Sequence, residues 1–352
     1  MSQRADVSVT WEEWQMTPKG EVIRLFHLIN ARGSQLTVSD WGATLTSFKL
    51  AMPDGRLRQL VLGCDTLSDY QNQSAFLGAT VGRYANRIRN AQFSIDGQVY
   101  QLEANEGTTC LHGGPHGFNN QLWKAKILEN TPDPTVEFSI FSADGDQGFP
   151  GNANVSVEFS LTADDQIRIH YKATVDKPCP FNLTNHSYFN LDGVAGDVGS
   201  HVVQINADHY LPVDQANLPA DAPQPVAGTP FDFRVAKPLN QDWRKVATDQ
   251  RYRGFDHSFI LNQDPDAPAI QVVSGDEKIS MSVYTSSPAV QLYTGQYLEG
   301  TRGHNELVYQ NRDGFCLETQ FLPDQPNSDI AEACIVRPGE VFDHSTCFAF
   351  HY

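Results

Sequence analysis

The stretch VSVEFSLTADDQIRIHYKATV, residues 155–175, decides the fold class. Val155, Val157, Phe159 and Leu161 occupy alternate positions, and so do Ile167, Ile169, Tyr171 and Ala173. A period of two marks a strand with one buried face. Between the runs, Thr162-Ala163-Asp164-Asp165-Gln166 supplies turn formers, so the stretch reads as a β-hairpin. The same pattern recurs at 22–30, 35–40, 91–104, 136–144, 201–207 and 278–286. Within 91–104, Asp96-Gly97 tolerates the positive φ of a tight hairpin turn. Helical periodicity is nearly absent, with one or two turns expected near 65–76 and 240–248. The proline-rich segment 212–230 reads as a long surface loop, since strands resume on both sides. Length alone suggests roughly two domains, but the pattern predicts an all-β sandwich, one domain over residues 1–352.

Composition narrows the function classes. The 352 residues carry a net charge of −17, which argues against a nucleic-acid surface built of clustered Lys and Arg. No run approaches the roughly 20 apolar residues of a membrane-spanning helix. MSQRADVSVTWEEWQ has no apolar core of a signal peptide, so a soluble, cytoplasmic protein is expected. The six cysteines are scattered without C-x-x-C spacing and read as buried thiols, not disulfides or zinc ligands.

Candidate chemistry clusters in six segments. In GFCLETQFLPDQPN (314–327), Glu318 is a lone carboxylate in an apolar strand. Desolvation there would raise its pKa, as a general base near neutral pH requires; a Glu on the wet face of an edge strand would show the same pattern. In PFNLTNHSYFNL (180–191), alternation places Asn182, Thr184, His186, Tyr188 and Asn190 on one face. Such a charge-free polar ladder suits the wall of a sugar pocket, or a solvent-facing strand. GRYANRIRNAQF (82–93) holds Asn86 and Arg87, a candidate clamp for hydroxyls or a carboxylate; Arg83 and Arg89 equally fit loop anchors. CLHGGPHGF (110–118) has H-x-x-x-H spacing, but its glycines and proline oppose a helix, so His112 fits a loop better than a metal site. Arg253–Phe259 offers Asp256 for a hydroxyl or an Asx turn, and Ala289–Gly295 offers Gln291 and a tyrosine on one strand face. No G-x-S-x-G, P-loop or G-x-G-x-x-G is present, which leaves cofactor-free acid–base chemistry.

Taken together, GRYANRI, LHGG, NLTNHSYFNL, DHSF, VQLYTG and CLETQFLPDQPN resemble, in order, the segments of the aldose 1-epimerase (galactose mutarotase) family. The resemblance implies a β-supersandwich with a sugar cleft, no metal and no other cofactor. It implies interconversion of the α and β anomers of free aldohexoses such as D-galactose and D-glucose, by a monomer or homodimer. By the same resemblance Glu318 is the general base, His186 the general acid and His112 an assisting group. Asn86, Arg87, Tyr188, Asp256 and Gln291 are the expected sugar-binding residues. The rival activities are a hexose-6-phosphate 1-epimerase, which would need an extra basic cluster, and a sugar-binding protein without catalysis.

Overall fold

The computed structural model describes residues 6–193, 196–246 and 254–352. Residues 247–248 of the second expected helical segment, and Arg253, lie outside the described residues.

The 155–175 hairpin forms as its alternation requires. Strands Ala153–Leu161 and Gln166–Val175 pair antiparallel from Ala153↔Val175 to Leu161↔Ile167, and burial alternates along both. Asp165 takes a positive φ of 60° at the tip. The pair sits inside a nine-stranded sheet. Its order is Lys124–Ile127, Thr135–Ser142, Ala153–Leu161, Gln166–Val175, Phe342–His351, Ser280–Thr285, Ile270–Val273, Val202–Ile205 and Lys237–Pro238. A five-stranded sheet holds Ser8–Met16, Val22–Ile29, Gln35–Ser39, Thr44–Ala51 and Leu57–Gln59. Gln92–Ile95 and Gln98–Gln101 close the second expected hairpin around Asp96 (φ 52°) and Gly97 (φ 81°). Among the described residues the α-helices are two short ones, Leu67–Asn72 and Trp243–Val246. The architecture is all-β, as expected.

A six-stranded sheet positions the site. Its order is Tyr188–Phe189, Phe315–Gln320, Ala289–Tyr293, Asp256–Ile260, His209–Tyr210 and Gln224–Pro225. One face packs on the core: Phe315, Leu317, Val290, Leu292 and Phe259 are buried there. Phe189 touches Phe315 on this sheet and Phe348 on the nine-stranded sheet, at ring separations of 6.1 and 5.0 Å. The Thr319 and Thr346 hydroxyls bond between the same two sheets at 2.5 Å.

Two expectations need correction. The Glu318 strand is not at an edge, because Phe315–Gln320 pairs with strands on both sides and is buried throughout. Residues 182–190 do not form one continuous strand either. Thr184–Asn185 pairs with Thr80–Val81, whereas Tyr188–Phe189 pairs with Phe315–Cys316 in another sheet.

Candidate active site

The second face of the six-stranded sheet is built of cross-strand rows, because directly opposed residues in an antiparallel pair project to the same side. One row is Cys316, Tyr293 and Asp256; the next is Glu318, Gln291 and Ser258. Above them lies a cleft of about 500 Å³ lined by Glu318, Asp256 and Tyr293 from the rows. Asn86, Arg87, His112, His186 and Tyr188 complete it from the surrounding loops and short strands.

Glu318 and His186 are neighbours, with Oε1 and Nε2 3.6 Å apart and both side chains almost fully buried. Oε2 of Glu318 has no hydrogen-bond partner among the described residues. Burial pushes the Glu318 carboxyl well above its usual range, and nearby Asp256 adds to this against the opposing pull of Arg87. Burial lowers His186 to about 4. On its far side, His186 Nδ1 meets Cys316 Sγ at 3.6 Å.

His112 is held by reciprocal bonds to Asn86. The Asn86 amide donates to His112 Nδ1, and the His112 amide donates to the Asn86 carbonyl, both at 3.1 Å. Both residues sit at positive φ, 66° and 52°, a cost that such over-determined surroundings sustain. Because Nδ1 accepts a proton donor, neutral His112 carries its own hydrogen on Nε2. Burial, helped by His186 and Arg87, keeps this ring well below its ordinary pKa. His112 is therefore a fixed neutral donor.

The two imidazoles and the Glu318 carboxylate lie within 4.8 Å of one another, a spacing that a divalent ion could bridge. The His112 tautomer opposes this. A metal-binding nitrogen needs a free lone pair, with the other ring nitrogen donating its hydrogen, and here the Asn86 amide imposes the reverse.

Arg87 is clamped by Glu106, Oε2 to Nε at 2.6 Å and Oε1 to Nη2 at 2.8 Å. Burial raises the Asp256 carboxyl, while Arg87 and Gln291 oppose the rise. Gln291 does not line the cleft but stands behind it. Its Nε2 donates to Asp256 at 2.7 Å, and its Oε1 accepts the Ser258 hydroxyl.

Of the polar ladder expected at 182–190, His186 and Tyr188 reach the cleft. Asn182 instead bonds the Ala85 carbonyl and the Phe321 amide, and Asn190 bonds the Gly196 and Asp313 carbonyls. These side chains replace ladder bonds where the chain crosses between sheets. Arg83 is likewise structural, its guanidinium satisfied by Ser142, Ala143, Pro150 and Gly151. Phe76, Asn105, Glu106, Asn217 and Tyr297 line the cleft without having been singled out beforehand. Phe76 packs on the His112 and His186 rings at 4.6 and 5.9 Å, from a backbone at φ 54°. That unusual φ has no signature in a phenylalanine, and the other four sit in loops whose approach to the site is set by tertiary packing.

Comparison with known proteins identifies the family. The family model described as Aldose 1-epimerase matches residues 24–349. The chain is 45% identical over 339 residues to the Aldose 1-epimerase of Escherichia coli K12, covering 95% of this chain and 97% of that one. It is 40% identical over 322 residues to the human Galactose mutarotase, covering 90% and 91%. A crystal structure of galactose 1-epimerase from Lactobacillus acidophilus NCFM superposes with a TM-score of 0.86 at 30% identity, covering 98% of this chain and 99% of the other. The chain belongs to the aldose 1-epimerase family.

Proposed function

We propose that this protein interconverts the α and β anomers of free aldohexoses, D-galactose and D-glucose among them, as one cytoplasmic domain spanning residues 1–352. The observation that carries the reading is the buried Glu318–His186 pair at 3.6 Å, set on a cleft wall beside Asn86, Arg87 and Asp256. Glu318 takes the proton of the C1 hydroxyl while protonated His186 gives one to the ring oxygen. The C1–O5 bond breaks, leaving an aldehyde at C1 and a hydroxyl at C5. Rotation about C1–C2 and closure with the roles reversed yield the other anomer.

Burial disfavours the ionised pair, so the Glu318 carboxylate and His186 imidazolium that begin ring opening are the minor form of the free cleft. Once formed, they drive the protons in this direction. A raised pKa makes Glu318 the stronger base, and a lowered one makes His186 the stronger acid. Ring opening therefore ends in the neutral pair that burial prefers. His112, with its hydrogen on Nε2, donates to a substrate oxygen, while Arg87, Asn86 and Asp256 hold hydroxyls and Tyr188 closes the wall. Gln291 acts through Asp256 as a positioning residue. A phosphorylated hexose is disfavoured, because the cation among the described cleft residues, Arg87, is already paired with Glu106.

Polarimetry of freshly dissolved α-D-glucose and α-D-galactose tests the reading. Wild type should speed the approach to the equilibrium rotation, and Glu318→Gln should not, while still binding sugar. Near-normal turnover by folded Glu318→Gln would falsify the assignment of the base.

A further inference from the structure

We propose that Glu106 is a specificity-determining residue, which reserves the cleft for uncharged aldoses by neutralising Arg87. The inference rests on the epimerase reading and adds a selection rule to it. An unpaired arginine fork in a sugar cleft would attract carboxylate or phosphate groups on a substrate. Here both oxygens of Glu106 take up that fork, at 2.6 and 2.8 Å. Glu106, Asp256 and Glu318 then place three carboxyl groups on the cleft against one guanidinium. An aldose bearing an anion meets a guanidinium already paired with a carboxylate, while a hydroxyl still finds donors and acceptors.

Glu106 is well placed for this role. Its side chain is 41% exposed while that of Arg87 is 11% exposed, so the carboxylate is the more solvent-accessible partner of the pair. Its loop is fixed by two backbone bonds, Glu106 N–H to Thr109 O and Thr109 N–H to Glu106 O. Asn105 adds two more, from the Leu111 amide and to the Leu111 carbonyl. The loop is thus tied directly to the strand that delivers His112.

The test compares D-galacturonate, an aldose with a carboxylate at C6, with D-galactose. Steady-state polarimetry gives kcat/KM and calorimetry gives Kd for wild type, Glu106→Gln and Glu106→Asp. Gln keeps an acceptor for Arg87 but loses the charge; Asp keeps the charge. Glu106→Gln should raise the galacturonate-to-galactose ratio about tenfold at low ionic strength, with the gain shrinking in high salt. Glu106→Asp should leave the ratio near that of wild type. An unchanged ratio in Glu106→Gln, or an equal rise in Glu106→Asp, overturns the proposal. Absence of wild-type catalysis on D-galactose would instead end the epimerase reading, and the Kd ratio would still decide the role of Glu106.

Discussion

Replacing Gln291 with leucine removes a junction that stands behind the cleft wall and ties Asp256 to Ser258. Leucine fills nearly the same volume, so the change is mainly the loss of two bonds, to Asp256 and from Ser258. A bond to a charged acceptor contributes roughly 1.5–3 kcal/mol and a neutral one roughly 0.5–1.5. Gln291 and Ser258 are buried to 3% and 1% exposure, so water does not restore either bond. Gln291→Leu should therefore lose about 3 kcal/mol in urea denaturation. Ser258→Ala should cost about 1–2 kcal/mol, because it leaves the Gln291 oxygen unpaired. The double variant should be more stable than the sum of the two losses by about 1 kcal/mol or more, since both remove one shared bond. In polarimetric kinetics, KM should rise more than kcat falls, because in the proposed mechanism Asp256 holds a hydroxyl both before and during ring opening. A stability loss below about 1 kcal/mol, together with an unaltered KM, would refute the view that Gln291 sets the position of Asp256.

Two further tests concern the histidines. His186 titrates near 4 in the folded protein, below its ordinary 6.5. The unfolded chain therefore takes up the proton first as pH falls from 6.5 to 4, and the fold loses stability across that window. Between pH 7 and pH 5 the difference is about 2 kcal/mol, so His186→Asn should show that much less acid sensitivity in paired urea titrations; equal sensitivity in the two proteins would contradict a buried neutral ring. Phe76→Ala should admit water beside both imidazoles and relieve their desolvation. The acid limb of kcat/KM should then move to higher pH, with Phe76→Leu intermediate; an unmoved limb in the alanine variant would leave Phe76 as mere packing.

The alternation at 155–175 was a safe guide because both strands keep one register along their whole length. Over 182–190 the same rule misled. It presumes one sheet, and this segment leaves one pairing at Thr184–Asn185 and joins another at Tyr188–Phe189. The signal in hindsight is the density of asparagine in a charge-free run, since these amides bond backbone groups that no ladder serves. Glu318 was legible as a desolvated carboxylate, but the burial of its strand was not. Its partners come from residues 188–189 and 289–293, and local pattern carries no record of which strands flank it. Asn217 shows a further limit, reaching the cleft from the proline-rich loop and bonding Asp256 at 3.3 Å.

The strand Phe342–His351 lies near the middle of the nine-stranded sheet, between Gln166–Val175 and Ser280–Thr285. During synthesis, every residue up to position 341 can leave the ribosome while this slot is still open. Until it fills, the two flanking strands present long unpaired edges, the surfaces most prone to pairing with another chain. Bridging them also requires contacts between segments far apart in sequence, which slows folding. The growing polypeptide thus has a defined period of vulnerability, ending only when its central strand arrives from the far side of the sequence.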